Sequence, residues 1–264
     1  MCLGEQLSLP LFGCSSNQHL FPRLHTGGRI INIETSDNGR EHTDTEYRER
    51  DKLHPPRVGS TYLRTLGQGE VIGYMKSNIG TAFLKQKQFT KAASYLTEAD
   101  SAVPNHPEIL NNLGIILLEM GKTEQSIETL SRSVRLDPGR AWYWANLAQA
   151  LMEDRLELPA IQAYKKALGI DPTLYSKVVE NLKALHHRLG TKYFRQRNLQ
   201  PAADQWLEYL KLVPDDADIH NNLAVIYTHI GEYRRAWKHV RLAGIYGSPV
   251  DAAFRVKLSR LMPE

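Results

Sequence analysis

The chain has 264 residues, 42% of them hydrophobic and 23% charged, with a formal net charge of +4. That length suits one large domain or two small ones, and the composition is that of an ordinary globular protein. No run approaches the roughly 18 consecutive apolar residues of a membrane-spanning helix. Lys and Arg are spread without a block of like charge or a stripe interleaved with aromatics, which argues against nucleic acid as a partner.

The first forty residues read as strands. "LPLFGCSSNQHLFPRLHTGGRIINIE" (9–34) gives two or three short strands joined by turns, with "HTGGR" (25–29) as a hairpin loop. Cys2 and Cys14 are the only cysteines, so a disulfide-stapled mini-domain is excluded. "LFGC" (11–14) offers a lipoprotein cleavage box, but no Lys or Arg precedes Arg23 and Pro10 interrupts the apolar run. A cytoplasmic location is therefore the expectation, with a lipoprotein or periplasmic one the alternative. Residues 1–40 form a segment too small to bury a core alone, and 41–68, much of it the charged stretch "REHTDTEYRERDKLHPPRVGS" (40–60), reads as a charged linker. "LGEQLSLPLFGCSSNQHLFPRL" followed by "INIETSDNG" resembles the C-terminal part of bacterial transglutaminase-like domains. That resemblance implies a papain-like arrangement in which a Cys attacks a carbonyl, a His activates it and an acidic or amide residue orients the His. His19 matches the family's base, and Glu34 or Asn32 its orienting residue. The family's nucleophile precedes "LGEQL". Here Cys2 stands only 17 residues before His19. These residues are read as vestigial, with no catalytic residue and no acyl-transfer activity expected.

From about residue 69 to 262 the pattern changes to helices. Pro104, Pro138 and Pro172 fall 34 apart, as do Ile79, Leu113 and Leu147. The step from Leu147 to Leu189 is 42, and the next, to Leu223, is 34 again. The extra eight residues lie near 175–182, "YSKVVENL". That stretch lacks Pro and Gly and keeps apolar residues at helical spacing, so it is read as two added helical turns. In each unit two apolar helical runs are separated by a turn, and Pro ends the second. Small residues mark where the two helices touch: Gly80, Gly114, Ala148, Gly190 and Ala224 on the first, and Ala92, Ser126, Ala160, Ala202 and Ala236 on the second. The pattern resembles the tetratricopeptide repeat (TPR), in units of about 73–106, 107–140, 141–174, 175–216 and 217–248. "VDAAFRVKLSRLM" (250–262) reads as an amphipathic capping helix. The fold class expected is an all-α solenoid of about five TPR hairpins and a cap, preceded by a small β-containing segment.

Asn recurs at one place on the first helix: Asn78, Asn112, Asn146 and Asn222, with Arg188 in the fourth unit. In related arrays, such as O-linked N-acetylglucosamine transferase and kinesin light chain, the resemblance implies an inward-facing amide that clasps peptide backbone. A carboxamide offers one acceptor and two donors to a backbone of any sequence. An extended peptide would then meet Trp142, Met152 and Leu118. Trp144 is expected in the core. Lys85, Arg188 and Arg195 fall on the inner face, interrupted by Glu108, Glu119, Glu153 and Asp218, too mixed for an RNA groove. His186 and His187 point about 100° apart on a helix and cannot chelate one ion. "GQGEVIG" (67–73) lacks the strand and the Lys-Ser/Thr of a phosphate loop. The expectation is a scaffold for a protein or peptide ligand, with no metal, no cofactor and no nucleic acid. The alternative is a transglutaminase-like hydrolase or acyltransferase fragment whose repeats recruit substrate.

Overall fold

The computed structural model describes residues 11–16, 19–26, 29–34, 40–42 and 65–263, with side chains from residue 67 onward apart from Gln68. Five strands, β1 (Leu11–Ser16), β2 (His19–Thr26), β3 (Arg29–Glu34), β4 (Arg40–His42) and β5 (Thr65–Leu66), form an antiparallel sheet ordered β4-β3-β2-β1-β5. Strands β4 and β5 fall at the two ends of the charged segment.

Eleven α-helices follow among the described residues. They pair as hairpins: α1 (Gln68–Lys85) with α2 (Phe89–Ala102), α3 (Pro107–Glu119) with α4 (Thr123–Leu136), α5 (Ala141–Glu153) with α6 (Glu157–Ile170), α7 (Tyr175–Arg195) with α8 (Leu199–Leu210), and α9 (Ala217–His229) with α10 (Tyr233–Ile245). α11 (Ala252–Leu261) stands last. Contacts cluster into two compact units, Met1–Asp137 and Pro138–Glu264.

The turn inside each hairpin is made the same way five times. Lys87, Gly121, Arg155, Arg197 and Gly231 adopt left-handed backbone with φ of 57°, 73°, 58°, 59° and 80°. The next residue returns its N–H to a carbonyl five positions back, as in Gln88 to Phe83 (2.9 Å), Lys122 to Leu117 (2.8 Å) and Leu156 to Leu151 (2.9 Å). That reversal satisfies carbonyls that the helix end leaves without partners. The period read from the sequence is the period of this turn.

Helix contact inside a hairpin depends on a missing side chain. A Cβ on Gly80 would meet Leu96 at 2.8 Å, one on Gly114 would meet Leu130 at 2.5 Å, and one on Gly190 would meet the Trp206 ring at 2.5 Å. The glycines thus press on the residue sixteen positions ahead. The small residues twelve ahead lie against backbone instead: the Gly80 Cβ would stand 3.3 Å from the Ala92 carbonyl, and Ser126 Oγ donates to the Gly114 carbonyl at 2.7 Å.

The added residues of the fourth hairpin are helical. α7 has 21 residues where α3, α5 and α9 have 13. It opens through a 3-10 turn at Pro172–Leu174, where Asp171 accepts from the Thr173 N–H at 3.0 Å and the Thr173 hydroxyl at 2.6 Å. Val178 and Leu182 on the added turns are buried. At the other end of the chain, Leu258 of α11 is fully buried and the Trp237 indole donates to the Met262 carbonyl at 2.9 Å. Val256 and Leu261 on the far side of α11 stay half-exposed.

Trp144 is not a core residue. Its neighbours Ala141 and Tyr143 are buried, while Trp144 is half-buried. Its indole donates to the Pro138 carbonyl at 2.9 Å, and Lys166 Nζ lies 4.5 Å from the ring centre. One step along a helix turns a side chain by about 100°, and Tyr143 takes the inward slot.

Candidate functional site

The amides expected to bind peptide sit on first helices, and their surroundings differ. Asn78 on α1 is exposed. Asn112 on α3 is half-buried, donates to Thr81 Oγ1 at 3.3 Å and accepts from Asn111 Nδ2 at 3.3 Å. Thr81 in turn donates to the Ser77 carbonyl at 2.9 Å. Asn112 therefore has one N–H and one lone pair left for a ligand. Asn146 on α5 and Asn222 on α9 are half-buried. Trp142 shares a helix face with Asn146, four residues on. It is 49% exposed, its ring meets Tyr143 edge-on at 5.9 Å, and the Arg140 guanidinium lies 5.3 Å from its centre. Leu118 and Met152 are half-buried near the C-terminal ends of α3 and α5.

Arg188 stands where the other units carry Asn. Its Nη2 donates to the Met152 carbonyl at 3.4 Å, and its Nε lies 3.3 Å from the Glu157 carboxylate without the alignment of a hydrogen bond. Lys192 Nζ reaches the same carboxylate at 3.4 Å. Glu157 is only 6% exposed and opens α6, where a carboxylate also suits the helix dipole. Arg155, Glu157, His187, Arg188, Lys192 and Arg195 line a cavity of about 620 Å³ within the second unit. Sequence reading placed Arg188 and Arg195 on the inner face but missed Arg155, Glu157 and Lys192. The available signal was Arg188, Lys192 and Arg195 at i, i+4 and i+7, one face of α7.

Among the described residues, His186, His220 and His239 are buried. His186 is buried and its Nδ1 lies 2.9 Å from Gln205 Oε1, so Nδ1 carries the proton. Burial holds its pKa below the ordinary imidazole value. His187, one residue on, is exposed against Tyr209. In the fifth hairpin the buried His220 and His239 face each other with Nδ1 atoms 2.8 Å apart. His220 Nε2 lies 3.1 Å from the Pro214 carbonyl and must donate there. With His220 neutral, His239 Nδ1–H is then the donor between the rings. Burial, with His220 the next contribution, pushes His239 down to about 4. Among the described residues, no group of three or more His, Cys, Asp and Glu gathers to hold a metal, and no helix is long and apolar enough to cross a membrane.

At the N-terminal sheet, His19 opens β2 opposite Ser16, Asn32 on β3 pairs with Arg23, and Glu34 ends β3 opposite Arg40. His19 is four residues from Asn32's partner, about 13 Å along the strand. Cys14 on β1 pairs with Phe21 and Thr65. Cys2 lies outside the described residues.

Family models of the tetratricopeptide repeat match residues 83–151, 143–174 and 206–238. Type IV pilus assembly protein PilF of Pseudomonas aeruginosa is 27% identical over 115 residues, 43% of this chain and 46% of that protein. Hsp70-Hsp90 organizing protein 3 of Arabidopsis thaliana is 22% identical, covering 77% of this chain and 42% of that protein. The chain thus spans less than half the length of these curated relatives. A crystal structure of the MamA protein aligns with a TM-score of 0.46 at 21% identity, over 66% of this chain and 91% of that one. The matched segments, the recurring turn and the small-residue helix contacts mark residues 83–174 and 206–238 of this chain as tetratricopeptide repeats.

Proposed function

We propose that the repeats form a protein-interaction scaffold that holds an extended peptide or a partner protein's segment against their first helices. The observation that carries this is Trp142, a large amphipathic ring left half in water yet braced by Tyr143 and Arg140, on one helix face with Asn146. Aromatic side chains held rigid at a surface are typical binding anchors. Asn78, Asn112, Asn146 and Asn222 would supply backbone hydrogen bonds, with Met152 and Leu118 meeting ligand side chains. Relatives named for organising Hsp70 and Hsp90, or for pilus assembly, support the same reading.

The test is capture of a partner from the native cell extract, followed by titration against wild type and the triple variant Asn78→Ala, Asn112→Ala, Asn146→Ala. Each pair contributes roughly 0.5–1.5 kcal/mol net, so the triple variant should bind about 2–4 kcal/mol more weakly while still folding. Unchanged affinity in the folded variant would remove the amides from the site.

The second reading, a transglutaminase-like fragment over 1–40, draws on the placement of His19 on the strand next to Asn32 and Glu34. Its test is thiol labelling. Cys2 and Cys14 should react no faster than free cysteine, and fast labelling that depends on His19 would favour the enzyme.

A further inference from the structure

We infer that the cavity between the third and fourth repeats is a docking site for acidic side chains, so that the segment bound by this scaffold is rich in Asp and Glu. This rests on the interaction reading above and specifies its ligand. Four permanent cations, Arg155, Arg188, Lys192 and Arg195, converge on one cavity of about 620 Å³ with a single carboxylate, Glu157. Glu157 engages two of them, holding Arg188 and Lys192 at 3.3 and 3.4 Å. Arg155 and Arg195 are exposed, and among the described residues no carboxylate pairs with either. The cavity therefore keeps a surplus of positive charge in a half-enclosed space, where attraction for anions exceeds that on an open surface.

The donors available decide which anion fits. The backbone amides at both rims are spent: Asp154, Arg155 and Leu156 donate to Ala150, Met152 and Leu151, and Gln196, Arg197 and Asn198 donate to Lys192, Phe194 and Tyr193. No cradle of N–H groups remains for a compact phosphate. What remains is two exposed guanidiniums on separate elements, the turn after α5 and the last turn of α7, beside two held in place by Glu157. Cations placed apart on rigid supports suit several carboxylates carried along an extended chain, each taking a charge-assisted hydrogen bond. Arg188 occupies the place that Asn146 and Asn222 hold in the neighbouring repeats of the same unit, so the acidic stretch continues the path of a backbone paired to those amides.

The test uses a short, end-blocked, fluorescent peptide of alternating Glu and Gly, its Gln-Gly counterpart and a uridine oligonucleotide, each titrated by anisotropy. The Glu peptide should bind, weaken as salt is raised, and beat the Gln peptide. The double variant Arg155→Glu, Arg195→Glu changes only exposed side chains and should lose about tenfold or more. Arg234→Glu, an exposed change on α10, should bind as wild type does. Three results would overturn the inference: no binding of the Glu peptide, equal binding by the double variant, or oligonucleotide binding as tight through the same arginines, which would make the cavity a general polyanion site. If the Glu peptide fails while the triple Asn variant still loses its captured partner, the scaffold stands and only its acidic ligand falls.

Discussion

Three of the five hairpin turns place a side chain where glycine is at ease. For L residues the left-handed region costs roughly 1–2 kcal/mol, against roughly 0.5–1 kcal/mol of extra chain entropy lost by glycine. Lys87→Gly and Arg197→Gly should each raise stability by about 0.5–1 kcal/mol, read from urea midpoints; a loss at both would mean that their side chains make contacts worth more than the strain. His239 sets a pH dependence at the same scale. Its folded pKa of about 4 lies below the ordinary 6.5, so the folded state resists protonation that the unfolded chain accepts. Stability should be full above about 6.5 and fall as pH drops from there toward about 4. His239→Asn keeps a donor near the Nδ1 position and does not titrate there. Its stability relative to wild type should improve through that window, and parallel pH curves would show that His239 is not the group responsible.

Helix contacts carry the next layer. Gly190 lies against the ring of Trp206, which is 2% exposed and has nowhere to turn. Gly190→Ala would gain up to about 1 kcal/mol of helix propensity, yet the clash should leave it about 1–3 kcal/mol less stable. A stabilised variant would show that the hairpin can open by a few tenths of an ångström at no cost. Removal of residues 252–264 takes Leu258 out of the core it shares with Trp237 and Val240 and takes away the carbonyl that receives the Trp237 indole. Ending the chain before Ala252 should therefore lower the melting temperature and shift Trp fluorescence to the red as Trp237 meets water. The register of these elements was legible in advance because Pro and the small residues recur with the period. The eight added residues could be assigned to helix because nothing in "YSKVVENL" breaks one. Trp144 was misplaced because it and Tyr143 are both aromatic, and a pattern of large residues does not resolve a single step of helical phase.

At the scale of the molecule, the second unit holds a continuous core that joins Trp206, Leu223, Tyr227, Trp237 and Leu258. Residues 138–264 produced alone should be helical and melt in one transition, followed by circular dichroism. A fragment without a cooperative melt would show that the second unit takes its stability from the first. The cationic cavity lives at this scale too. Arg155 sits in one hairpin and Arg188 in the next, and only packing joins them, so linear sequence offered no more than the stripe on α7. The amides, by contrast, were visible as a recurring letter, while the use of Asn112 by Thr81 depended on the neighbouring helix.

The helices that pack are neighbours along the chain, and this has a consequence in time. Each hairpin finds its partners within a few dozen residues, so little loop-closure entropy delays it. A ribosome adding roughly 5–20 residues per second completes a 34-residue unit in about 2–7 s. Local helix pairing takes far less time than that. Within each unit, a new repeat can therefore settle on the one already made while the rest of the chain is still being synthesised.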